Sequence, residues 1–160
     1  MSKIYIAYGS NLNKEQMTHR CPTARFLGTG VIEDYELQFK GSLNNAHATI
    51  TPKEGSQVPV GLWEIKKRDE DNLDFYEGHP RYYFKRDVDV QMGDKTVQGM
   101  AYIMDLRMDF GNPCQTYYDI VFKGYEDCGL DVNILNRAVD QSMDKAALRE
   151  QQSRFGMRMI

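Results

Sequence analysis

Lys3-Ile4-Tyr5-Ile6-Ala7-Tyr8-Gly9-Ser10-Asn11-Leu12-Asn13-Lys14-Glu15-Gln16 passes from one backbone pattern to another within a few residues. Residues 3–8 alternate as a β-strand, and Gly9-Ser10-Asn11 ends the strand abruptly. Asn13, with Gln16 three positions on, predicts a capping box for a short helix over 14–20, which Pro22 stops. In such a strand–turn–helix passage the consecutive N–H groups of Gly9 to Leu12 form a concavity suited to a carboxylate or an oxyanion. The same spacing suits a plain structural turn. Ser10 is a poor nucleophile candidate, because the G-x-S-x-G elbow is absent and no histidine lies near it in a recognisable motif.

Working outward, alternation predicts strands at 25–32 and 35–40, broken by Glu33-Asp34, and at 46–51 and 58–65, around the turn-rich Pro52-Lys53-Glu54-Gly55-Ser56. Between them, Gly41 to Asn45 reads as a polar loop. An acidic helix follows over 69–76, with Gly78 as its left-handed cap. Residues 82–91 and 96–104 form a hairpin about Gly93-Asp94. That makes six or seven strands. In the last third, Asn112-Pro113 predicts an N-cap and first-turn proline, with Tyr117, Ile120, Val121, Tyr125 and Cys128 on one face of a helix that Gly129 ends. Gly124 in that helix points to a close backbone approach by a neighbour. A second helix starts near Asp131, with Ile134, Leu135, Ala138 and Val139 as its apolar stripe. Strands first and helices last indicate α+β. The chain divides into a domain over 1–143 and a polar tail over 144–160, either a loosely docked helix or frayed.

The 160 residues, 18.5 kDa in mass, supply one domain that buries roughly 68–70% of its unfolded surface without metal or disulfide staples. Twenty Lys+Arg against 23 Asp+Glu give a net charge of -3, which offers no field for phosphate backbones and argues against a nucleic-acid partner. No apolar run approaches the ~20 residues of a bilayer span, and the N-terminal residues read as strand instead of signal sequence, so a cytoplasmic protein without membrane contact is expected. Cys21, Cys114 and Cys128 are scattered, as are His19, His47 and His79; reduced structural thiols and no metal site are expected.

Leu73-Asp74-Phe75-Tyr76-Glu77-Gly78 puts a carboxylate at a helix C-terminus, where the dipole disfavours negative charge, among Phe75, Tyr76, Tyr82 and Tyr83. That environment raises a pKa and suits Glu77 to proton transfer. A solvated glutamate ahead of a capping glycine has the same sequence. Tyr117 on its apolar stripe fits either the core or a pocket wall.

Three motifs in order, Tyr8-Gly9-Ser10-Asn11-Leu12, Leu-Asp-x-x-Glu77-Gly78 and Pro113-x-x-x-Tyr117 with Gly124 and Gly129-Leu130, resemble the γ-glutamylcyclotransferase-like family over about residues 3–140. Arg20-Cys21-Pro22-Thr23-Ala24-Arg25 and Ala48-Thr49-Ile50 resemble its bacterial members. The resemblance implies a small, mixed, mostly antiparallel β-barrel with flanking helices and a pocket at one end. It implies Glu77 as the proton-transferring residue and Gly9, Ser10, Asn11 and Leu12 as the anion-binding loop. Tyr8, Tyr83 and Tyr117 become further substrate contacts. The reaction implied is cyclisation of a γ-glutamyl amine, amino acid or peptide to 5-oxoproline, with no cofactor or metal, by a monomer or homodimer. The short segment after Glu77 departs from the glutathione-directed branch. The alternative is a catalytically silent relative that binds a small amino-acid-like ligand or a protein, against which the joint retention of the loop and Glu77 argues; an enzyme that trims a γ-glutamyl protecting group would keep the same residues.

Overall fold

The structure, a computed structural model, describes residues 2–159, the side chains as far as 156. Strand β1 (Ser2–Ala7) leads through a 3-10 turn (Ser10–Leu12) into helix α1 (Lys14–Arg20). Strands β2 (Arg25–Lys40) and β3 (His47–Lys66) follow, then α2 (Lys67–Glu77), the hairpin β4 (Tyr83–Met92) and β5 (Lys95–Met104), α3 (Gln115–Asp127) and α4 (Val132–Met159). The strands close a barrel in the order β1-β3-β2-β4-β5. The neighbours are antiparallel except at the seam, where β1 and β5 run parallel at Tyr5 and Met100. Ile6, Ile32, Ile50, Val58, Leu62 and Val90 are among the side chains buried in the core.

There are five strands among the described residues, because each of two predicted pairs is a single strand. Asp34 takes a positive φ of 61° and the register slips between Glu33 and Tyr35, so β2 continues through a bulge. Opposite it, Gln57 pairs with Glu33 and Pro52 with Tyr35, which leaves residues 53–56 as the excess on β3. Gly55 N–H donates to Asp34 Oδ1 at 2.9 Å and holds the two irregularities together. Turn-forming residues here bend a long ribbon; they do not reverse the chain, because both flanks pair with the same partner strand.

Helix α3 starts two residues later than its Asn112-Pro113 signal, with Cys114 as N-cap. Asn112 is held outside: its N–H donates to Leu43 O at 2.7 Å, and its carbonyl accepts from Ala46 N–H at 2.9 Å. Helix α4 runs unbroken through residue 144, and Ser142 Oγ accepts from Phe39 N–H at 3.0 Å, pinning it to β2. Gly124 explains how closely α3 packs on the turn after β1. A Cβ there would stand 2.6 Å from Asn13 N and 2.7 Å from Leu12 C, so only glycine lets the helix lie on the turn after β1. Among the described residues no helix is long and apolar enough to cross a membrane.

Candidate active site

The turn after β1 is tied down from several sides. Asn13 caps α1 by accepting from Gln16 N–H at 2.9 Å, but the Gln16 side chain reaches back to Ser10 O at 3.2 Å and does not complete a reciprocal box. Leu12 N–H donates to Gly9 O and Asn13 N–H to Ser10 O, both at 3.1 Å. The amides ahead of them, Gly9, Ser10 and Asn11, have no acceptor within the turn, as at the start of any helix. All three residues line a cavity of about 570 Å³ at this end of the barrel. Leu12 does not: it is fully buried in the core, and its amide is consumed by the turn. The expected four-amide concavity is a three-amide one.

Gly9 is closely packed. A Cβ there would lie 3.1 Å from Ala48 Cβ and 3.3 Å from the Tyr117 hydroxyl oxygen. Those neighbours are fixed in turn. Ala48 N–H donates to the Tyr117 hydroxyl at 3.0 Å, and the Tyr83 hydroxyl donates to Ala48 O at 2.7 Å. Asn11 Nδ2 donates to the Tyr5 hydroxyl at 2.9 Å, and the Tyr8 hydroxyl donates to Tyr102 O.

Glu77 enters from the last residue of α2. Gly78, at φ 65° and ψ 38°, caps that helix as predicted, with Gly78 N–H on Phe75 O and His79 N–H on Asp74 O. One turn before Glu77, Asp74 anchors the helix to the barrel by accepting from the Tyr102 hydroxyl at 2.6 Å and from Lys85 Nζ at 3.1 Å. Burial opposes the Asp74 carboxylate, but these hydrogen bonds and the Lys85 charge leave its pKa below the ordinary value.

Burial pushes the Glu77 carboxyl up from 4.5 to about 7, with the Arg20 guanidinium pulling the other way. The aromatic residues expected around Glu77 divide into two kinds. Phe75, Tyr76 and Tyr82 stand out in solvent at the cavity mouth, and of that set only Tyr83 is buried. Tyr5, Tyr8 and Tyr117 join Tyr83 as the inner wall; burial first, and the Glu77 charge with it, holds all four phenols well above their usual range.

The cavity thus brings together Glu77, Tyr8, Gly9, Ser10, Asn11, Tyr83 and Tyr117 from the predicted set and leaves out Leu12. It adds Tyr5, Tyr102, His47 and Arg20. Arg20 has the greatest chemical consequence of these: one guanidinium nitrogen donates to Asn11 Oδ1 at 2.9 Å and to Ser10 Oγ at 3.3 Å, and its centre stacks 4.6 Å from the Tyr76 ring. Its carbonyl accepts from Asn72 on α2 at 2.9 Å, so Arg20 joins the turn to the helix that carries Glu77. The sequence showed it as the last residue of a short helix, with no signal that its side chain turns inward. The three cysteines are free thiols away from the cavity, and burial raises Cys21 to about 12. Among the described residues no three His, Cys, Asp or Glu side chains gather as a metal-binding group.

A closed barrel with one high-pKa carboxyl facing a cation and a row of free amides defines a small-molecule pocket fitted for acid/base chemistry on an anionic compound. The chain belongs to the gamma-glutamyl cyclotransferase, AIG2-like family, whose model matches residues 5–119 and so includes every residue named above as lining the pocket. Human gamma-glutamylcyclotransferase is 29% identical over 138 residues, covering 81% of this chain and 73% of the relative, and the mouse protein of that name is 27% identical over 136 residues, covering 79% and 72%. A solved structure of a gamma-glutamyl cyclotransferase superposes with a TM-score of 0.78 at 26% identity, covering 86% of each chain.

Proposed function

We propose that this protein converts a γ-glutamyl compound to 5-oxoproline and a free amine. The observation that carries the reading is Glu77: a carboxyl lifted to about 7, in one cavity with the amides of Gly9, Ser10 and Asn11 and the Arg20 guanidinium. A carboxyl that titrates near neutrality takes and returns a proton at working pH.

The γ-glutamyl group carries an anion and a nucleophile. Its α-carboxylate binds the three amides and the Arg20 nitrogens not engaged with Ser10 and Asn11, since a guanidinium fork matches carboxylate geometry. The α-amino group then lies beside Glu77, which takes its proton. The nitrogen attacks the γ-carbonyl carbon, closing a five-membered ring. As the tetrahedral intermediate collapses, the bond to the leaving nitrogen breaks and Glu77 returns the proton to that nitrogen. No water enters and no residue is acylated. Holding amine and carbonyl in near-attack geometry is the larger share of catalysis, worth up to ~7–11 kcal/mol in favourable intramolecular cases.

The test is release of 5-oxoproline from a panel of γ-glutamyl amines, amino acids and peptides. At least one is expected to be turned over by the native protein and not by Glu77→Gln. A protein that binds panel members and turns over none is a silent receptor, and the reading fails.

A further inference from the structure

The cavity has two zones of different chemistry. Inside are Glu77, Arg20 and the free amides; at the mouth, Phe75, Tyr76 and Tyr82 line the cavity while 82%, 53% and 65% exposed. The Phe75 and Tyr76 rings meet edge to face with centroids 5.7 Å apart. Tyr82 is folded back onto the α2 cap, where a Cβ on Gly78 would come within 2.8 Å of its ring. Three aromatic rings left largely in water around one opening form an apolar surface, touched at Tyr76 by the Arg20 guanidinium. Rings of this kind offer large contact area to a ligand at little cost in conformational entropy.

Charge supplies an independent observation. Among the described residues that line the cavity, Arg20 is the one Lys or Arg, and it is engaged with Ser10, Asn11 and Tyr76. His47 also lines it, but burial lowers its pKa and disfavours the charged ring. Ser42 and Asn45 add only neutral polar contacts. One cation serves one carboxylate, and the γ-glutamyl group already has one. A second carboxylate, on the departing half, would be desolvated against π faces and near Glu77 with no cation besides the already engaged Arg20 among the described residues that line the cavity.

We propose that the departing half of the substrate is an aromatic or apolar amine with no carboxylate of its own, seated on Phe75, Tyr76 and Tyr82. This rests on the γ-glutamyl reading above and narrows it. The bond cleaved and the proton transferred are those already described.

Four substrates separate ring from charge: the γ-glutamyl conjugates of phenethylamine, phenylalanine, ethylamine and glycine. The phenethylamine conjugate is expected to have the highest kcat/KM, above both the phenylalanine and the ethylamine conjugates by at least about tenfold, the scale on which a pocket discriminates by apolar contact or an unpaired polar group. In Phe75→Ala and Tyr82→Ala, the ratio of phenethylamine to ethylamine conjugate is expected to fall by about fivefold or more. Calorimetry with free phenethylamine and phenylalanine reads the mouth without turnover, and the amine is expected to bind more tightly. Equal or better turnover of the phenylalanine conjugate overturns the absence of a carboxylate. An unchanged ratio in both variants overturns the aromatic seat. If none of the four conjugates is cleaved but phenethylamine binds and Phe75→Ala weakens it, the reaction is wrong and the seat stands; if neither is seen, both fall.

Discussion

The inner wall of the cavity and its mouth are both aromatic, yet they are built in opposite ways. Tyr5, Tyr8, Tyr83 and Tyr117 come from β1, β4 and α3 and the residue just past β1, and the hydroxyl of each makes a hydrogen bond. Phe75 and Tyr76, at one helix end, are held by stacking, and Tyr82, in the loop after it, lies against Gly78, to whose carbonyl its N–H donates. Buried hydroxyls must be paired, and pairing fixes the ring positions. Exposed rings have no such obligation and can adjust. The hydrogen-bonded wall lines the cavity with Glu77, and the exposed rim faces solvent.

The largest disturbance of this contrast is Glu77→Gln, expected to lower kcat/KM by about 10²–10⁴ or more, since the amide keeps the shape and cannot carry a proton. Its stability effect has a distinctive sign. The folded pKa of about 7 lies above the ordinary 4.5, so the native state holds the proton more tightly and loses stability as pH rises through that window. Glu77→Gln escapes this loss. Thermal melts should show the variant gaining on the native protein between pH 4.5 and 7, by up to about 3 kcal/mol. A variant that loses stability at all pH values would place Glu77 in a structural role.

Gly9→Val strikes the rigid wall directly. Its side chain must displace Ala48 or Tyr117, and overpacking of this kind costs about 1–3 kcal/mol. Loss of activity should exceed what the shift in Tm explains, because the amides move with the backbone. Tm and kcat/KM measured side by side test this.

Arg20→Ala is expected to raise KM by about tenfold or more through loss of a charged hydrogen bond to the substrate carboxylate. Removing the guanidinium also removes the influence that lowers the Glu77 pKa, so the acid limb of the kcat/KM profile should move to higher pH. Arg20→Lys should restore the limb more than the KM, as a point charge replaces a fork. An acid limb that does not move in Arg20→Ala would separate Arg20 from Glu77.

Ser10→Ala should matter least. Its hydroxyl accepts one long bond from Arg20, and the backbone amide is kept, so about 0.5–1.5 kcal/mol in kcat/KM is expected. Mass spectrometry during turnover should find no covalent adduct on residue 10; an adduct would make this a serine acyl-transfer enzyme.

Local rules were sufficient wherever the deciding interactions lie within a few residues. The strand ending at Gly9, the Asn13 cap and the left-handed Gly78 are all readable from neighbours in the chain. They were insufficient where a distant partner chooses between two local meanings. Pro52 to Ser56 has turn composition, but whether it reverses the chain or bends a ribbon depends on β2 pairing with both flanks. Leu12 belongs to a motif that touches the cavity, yet α3 pressing down at Gly124 sends its side chain into the core.

The α+β class, a turn with open amides after the first strand and the place of Glu77 at a helix end all follow from the chain alone, because hydrophobic period, glycine and capping chemistry act over one turn of chain; that the turn consumes the Leu12 amide and leaves three does not. What surrounds Glu77 depends on how the barrel closes. Its raised pKa comes from burial in the cavity whose inner wall is Tyr5, Tyr8, Tyr83 and Tyr117, while Phe75, Tyr76 and Tyr82 stand largely in solvent. Arg20, 57 positions away, tempers it. Desolvation and Coulomb forces depend on distance in space, and barrel closure sets those distances.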